Sequence, residues 1–123
     1  PGQNSTRIER FCIQLYEQWG IPQPNTNCEY LTLALQIACS ADGKLALRKE
    51  ILRGVADEYH ITVAAVDSGL RRMIDGLETR APSGWERYKA ENSLTGMKIT
   101  TGKLIYSLQR TVLRQGIVKR EHL

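Results

Sequence analysis

The chain has 123 residues, of which 41% are hydrophobic and 24% are charged, and its formal net charge is +4. This length suits one domain with its own core, and no apolar run approaches the roughly 20 residues that cross a bilayer. The three cysteines lack the spacing of a metal site, and the sequence has no signal peptide. We therefore expect a cytoplasmic protein with no cofactor, no metal and no membrane contact.

Apolar residues at helical spacing predict about six helices. The first follows a capping box of Thr6 and Glu9 and ends at Gly20, which leaves residues 1–7 as an N-terminal extension. The second begins at a similar box of Thr26 and Glu29 and runs to about 42–43.

The remaining helices are predicted over 47–58, from Thr62 to before Pro82, from a box at Ser83, and over about 101–115. No strand pair is apparent. The sequence thus predicts an all-α domain over 8–116, followed by a basic tail, 117–123.

The third and fourth helices are separated only by residues 59–61, and so short a connection predicts a helix-turn-helix. Ala56 supplies the small residue at the closest approach, and Ile61 and Val66 supply apolar contacts around the turn. His60 stands where such turns usually carry glycine, so we expect it to adopt a left-handed conformation.

If the fourth helix enters the major groove of DNA, its outward face carries the contacts. Arginine bonds guanine bidentately, serine contacts base or phosphate, and alanine contacts the thymine methyl group. The predicted DNA-binding residues on this helix are Thr62, Ala64, Ala65, Ser68, Arg71 and Arg72, and Asp67 and Asp75 are expected on the same outward face.

The basic excess lies at the C-terminal end of the chain, where residues 98–123 hold six basic side chains and a single acidic one. Such a segment suits a polyanion, because neutralised phosphates release counterions. Lys98 and Lys103 are the predicted phosphate contacts in the DNA-binding set. Further candidates are Arg110, Arg114, Lys119 and Arg120.

Two other classes of function compete with DNA binding. An enzyme is disfavoured, because a Ser-His-Asp or Cys-His pair would have to use one of only two histidines, His60 in the turn or His122 in the tail, and no phosphate-binding glycine loop is present. A helical protein-interaction module without base reading stays open, since Ala64 and Ala65 make only apolar contacts. Each basic residue named as a phosphate contact, taken singly, is equally well explained as a solvated surface charge that keeps the protein soluble.

Three segments, 20–22, 30–41 and 52–75, resemble the C-terminal effector domain of the master sporulation response regulator family of endospore-forming bacteria. The resemblance continues at 100–105 and covers about 8–114. It implies a six-helix fold with a helix-turn-helix, binding to tandem promoter boxes by paired copies, and contact with an RNA polymerase sigma subunit. It also implies a phosphoacceptor receiver domain upstream.

Overall fold

The computed structural model describes residues 2–41 and 43–118, and every regular element in this part of the chain is a helix. The α-helices are α1 (Gly2–Gln18), α2 (Thr26–Ala38), α3 (Arg53–Tyr59), α4 (Val63–Arg80), α5 (Ser83–Glu91) and α6 (Thr101–Arg114). A π-helical segment, Leu47–Leu52, runs directly into α3. The predicted all-α class with six helices is confirmed. None of the described helices is long and apolar enough to cross a membrane.

Several helix ends lie where the sequence predicted them. Gly20 and Gly116 follow α1 and α6 with φ of +69° and +72°, a conformation that glycine adopts without strain. Thr62 caps α4, because its hydroxyl accepts a hydrogen bond from the Ala65 N–H at 3.0 Å. At the other end of α4, Ala81 is left-handed and precedes Pro82, which cannot continue the helix.

Other helix starts were predicted wrongly. α1 begins at Gly2, so Thr6 lies inside the helix and residues 2–7 belong to it. The cap of α2 is Asn25, not Thr26: its extended backbone lets the side chain accept from the Cys28 N–H at 2.9 Å. α2 ends at Ala38, earlier than the predicted 42–43, of which Asp42 lies outside the described residues.

The predicted capping box at the start of α5 is also wrong. The residue before the helix is Pro82, and no side chain caps it. The fixed φ of proline, −60° here, already sets the chain direction at this boundary.

The predicted third helix is two structures joined end to end. In the π-helical segment the Ile51 N–H donates to the Ala46 carbonyl at 3.1 Å, five residues back, and the Glu50 carboxylate accepts from the Ala46 N–H at 2.9 Å. Leu47 packs against Gly102 of α6, where a Cβ would lie only 3.1 Å from its methyl group. The π-helical segment therefore lies beside the start of α6, and its exposed residue Arg48 lies there too.

α2 lies at the centre of the domain and packs against α1, α3, α4, α6 and the π-helical segment. Its inner face consists of Cys28, Leu31, Ala34, Leu35 and Ala38, all with no exposed surface. α1 is joined to it by Tyr16, whose hydroxyl lies 3.0 Å from the Cys28 carbonyl oxygen and 2.8 Å from the Thr32 hydroxyl. α4 packs against this central helix with its inner face, which leaves its outer face exposed.

An aromatic cluster joins α1 to α5. The rings of Trp19 and Trp85 meet edge to face with centroids 4.9 Å apart, and Tyr88 lies 5.4 Å from Trp19. Contacts of this kind contribute about 0.5–1.5 kcal/mol each beyond the buried area. The two helices come this close because Gly84 has no Cβ, which would overlap the Gln18 carbonyl oxygen. Trp85 and Tyr88 are thus core residues.

Candidate nucleic-acid interface

α3 and α4 are joined by a three-residue connection with His60 in the left-handed conformation, φ 57° and ψ 43°. The Ile61 N–H closes the end of α3 by donating to the Ala56 carbonyl at 3.0 Å. Ala56 itself is buried, and α3 packs against α4. The tight turn and the left-handed histidine both match the expectation from the sequence.

The outer face of α4 carries all the side chains predicted for it except one. The buried face consists of Val66, Gly69, Leu70, Met73, Ile74 and Leu77. Among the predicted residues, the exposed ones are Thr62, Ala64, Ala65, Ser68, Arg71, Arg72 and Asp75. Ser68 lies four residues from both Ala64 and Arg72, so these three form one row along the helix.

Asp67 is the exception, and its predicted place on the outward face is wrong. Only 11% of its side chain is exposed. Oδ1 accepts a hydrogen bond from the Thr101 hydroxyl at 3.0 Å, and Oδ2 lies 3.0 Å from Arg71 and 3.3 Å from Arg48. On the helical wheel Asp67 falls at the edge of the outer face, where α6 and the π-helical segment cover it.

Arg48 was missed by the sequence reasoning and lies beside the predicted Arg71. Its side chain is 57% exposed and that of Arg71 is 70% exposed, although both contact the same buried carboxylate oxygen. A guanidinium group has five N–H donors, so most donors of each arginine remain available to an external acceptor. No sequence signal marks Arg48, because it precedes its partner by 19 residues in a different element.

Arg48, Arg71 and Lys98 line an open groove of about 470 Å³ between the π-helical segment, α4 and the start of α6. Lys103 does not line the groove, but its ammonium group donates to the Lys98 carbonyl at 3.2 Å. The structure thus brings Arg71 and Lys98 to one groove and places Lys103 next to Lys98. Arg72 does not line this groove.

The other predicted phosphate contacts are not part of this cluster. Arg110 and Arg114 lie in the second half of α6, near Tyr88 of α5: burial raises the pKa of Tyr88, and the two guanidinium groups partly oppose that rise. Arg114 lines a separate polar cavity of about 320 Å³ with Gln18 and Arg87. Lys119 and Arg120 fall outside the described residues.

The His, Cys, Asp and Glu residues of the described part of the chain are the ones that a metal site would need. No three His, Cys, Asp or Glu residues lie close enough there to hold a metal ion. Burial raises the pKa of the Cys12 and Cys39 thiols to about 11, so both are protonated and unreactive at neutral pH. Cys28 is a core residue, and His60 lies in the turn, as the sequence indicated.

Comparisons of the chain with protein families, with curated proteins and with solved structures found no match. The function has to be inferred from the residues and their geometry.

Proposed function

We propose that this domain is a sequence-specific, DNA-binding transcription regulator that places the first half of α4 in the major groove. The observation that carries the proposal is the exposed outer face of α4, a helix that begins directly after a three-residue turn. This face borders the groove lined by the basic residues Arg48, Arg71 and Lys98. The major groove admits an α-helix, and the first turns of such a helix contact base edges.

The side chains divide by position. Ala64 and Ala65 are small enough to let the helix backbone approach the bases, and they offer methyl contacts to thymine. Ser68 lies between them and Arg72, which forms no ion pair with any described residue and keeps its guanidinium group available for guanine. Arg71 lies at the edge of this face, next to the groove.

The similarity to the sporulation regulator effector domain supports the same function. It extends the proposal to two copies on tandem boxes, contact with an RNA polymerase sigma subunit, and a cytoplasmic location. These partners follow from the similarity only, and no described contact identifies them.

In vitro selection of random duplexes by the purified chain, followed by fluorescence anisotropy on the enriched site, tests the proposal. Arg72→Ala should weaken specific binding by about 1–3 kcal/mol and relax the preference at one base pair. Arg87→Ala, a change of the same charge on α5, should keep the preference. If selection enriches no motif, or Arg72→Ala leaves the preference unchanged, base reading by α4 is refuted.

A protein-interaction module is the second candidate, and a groove of about 440 Å³ between α1, α2 and α3 favours it. Ile13, 53% exposed, and Tyr59 give this groove apolar surface. Its three acidic residues, Glu9, Glu29 and Glu58, form no ion pair with any described residue. A basic protein segment would suit such a surface. Binding that survives the DNA-face substitutions but is lost with Ile13→Asp would favour this candidate.

A further inference from the structure

Asp67 connects three elements through a single carboxylate group. Thr101 at the start of α6 occupies one oxygen, and Arg48 and Arg71 share the other. With both oxygens engaged, this carboxylate holds the two guanidinium groups side by side. The buried carboxylate therefore positions both arginines, while their side chains remain more than half exposed to solvent.

The charges around the groove do not cancel. One carboxylate faces two guanidinium groups, which leaves a net positive charge at the junction, and Lys98, in the segment before α6, adds a further positive charge to the lining. Asp75 is the only other acidic residue among those that line the groove. A bound anion would meet positive charge from three elements.

We propose that this groove is a binding site for a phosphate group of the DNA backbone, held by Arg48 and Arg71, with Asp67 as their positioning residue. The proposal rests on the proposed function for the source of the phosphate. Guanidinium groups bind phosphate oxygens through parallel, charge-assisted hydrogen bonds, and a pair held side by side can hold both non-bridging oxygens. An ordering carboxylate lowers the entropy lost when the arginines bind.

This assignment separates two tasks on α4. Phosphate contacts fix the orientation of a domain on the duplex and carry no sequence information, whereas contacts to base edges set specificity. Arg71 and Arg48 on the groove side would anchor the helix. Ser68 and Arg72 would read the bases.

The experiment compares Arg48→Gln with Arg87→Gln on the selected duplex and on a scrambled duplex over a series of salt concentrations. Arg48→Gln should weaken both complexes roughly tenfold, leave their affinity ratio unchanged, and lower the slope of log affinity against log salt by about 1. Asp75→Asn, which removes the opposing charge in the groove, should strengthen both complexes. An Arg48→Gln protein with the affinity and salt slope of Arg87→Gln would overturn the proposal even where Arg72→Ala still alters sequence preference.

A second measurement tests the site if the chain selects no DNA. Inorganic phosphate is added to the protein at low ionic strength, and the arginine Nε–H signals are followed by NMR. The Arg48 and Arg71 signals should shift together and saturate, the Arg87 signal should not, and Arg48→Gln should abolish the Arg71 shift. Equal, non-saturating shifts at all three arginines would refute a phosphate site in the groove, independently of DNA binding.

Discussion

Replacing Asp67 should lower the free energy of unfolding, and the size of the loss can be worked out from its three contacts. Asp67→Ala leaves the buried Thr101 hydroxyl without its acceptor, which costs about 1–3 kcal/mol. It also removes two ion pairs with largely exposed arginines, each worth about 0.2–1 kcal/mol. Because alanine favours the helix slightly, by up to roughly 0.5 kcal/mol, the net loss should be about 2–3 kcal/mol.

Asp67→Asn separates these contributions. Its amide oxygen still accepts from Thr101, so only the ion pairs are lost and the free energy of unfolding should fall by about 1 kcal/mol. At 1 M salt the screening length is about 3 Å, so this smaller loss should shrink, although the burial of the Asp67 carboxylate limits the screening, while the loss from the broken hydrogen bond in Asp67→Ala persists.

Urea unfolding followed by circular dichroism at 222 nm measures both variants. Asp75→Asn, an exposed carboxylate on the same helix, is the matched control and should change stability by no more than about 0.5 kcal/mol. If the alanine and asparagine variants of Asp67 were equally stable, the hydrogen bond to Thr101 would contribute nothing and the account of the buried carboxylate would be wrong.

Three further predictions concern the backbone and the core. His60→Gly should raise the urea midpoint, with a gain of about 0.5–1 kcal/mol, because glycine adopts the left-handed conformation without strain, whereas Gly20→Ala should lower it. Gly84→Ala should cost about 3 kcal/mol or unfold the domain, because the new Cβ meets the Gln18 backbone, while Gly43→Ala, with nothing within 4 Å, should be close to neutral. Burial raises the pKa of the Cys12 thiol from 9.0 to about 11, so the thiol ionises at lower pH in the unfolded chain than in the folded protein. The contribution of the neutral thiol to the free energy of unfolding is therefore complete below about pH 9. It is lost as the pH rises towards 11, at up to about 1.4 kcal/mol per pH unit. Urea midpoints at pH 8 and pH 10.5 should therefore differ less in Cys12→Ala than in the unmodified chain, and an equal difference would contradict this assignment.

The sequence predicted the number of helices and most of their apolar faces, because periodicity and glycine or proline stops act locally. It failed where two local signals compete or where the signal is not local. Asn25 and Thr26 are both good caps, and the choice between them depends on which residue takes the extended conformation. Spacing of apolar residues also cannot distinguish π-helical from α-helical hydrogen bonding over only six residues, Leu47–Leu52.

The candidate interface was predicted in part for the same reason. The exposed positions of α4 follow from helical period, and Thr62 and His60 from local backbone preference. The sequence predicts Asp67 on the exposed face of α4, because a charged residue at the edge of a helix face is usually solvated. Its burial depends on Thr101, 34 residues later in the chain, and no local pattern contains that contact.

The aromatic cluster between α1 and α5 determines what the protein's ultraviolet emission can report. The chain has two tryptophans, and both indole rings are buried in that cluster, in contact with each other. Excitation of either ring therefore samples the α1–α5 junction and not the outer face of α4. Separation of α1 from the rest of the domain should shift the emission to longer wavelength before the helical signal is lost, which would reveal a partly opened state that loss of helix alone would miss.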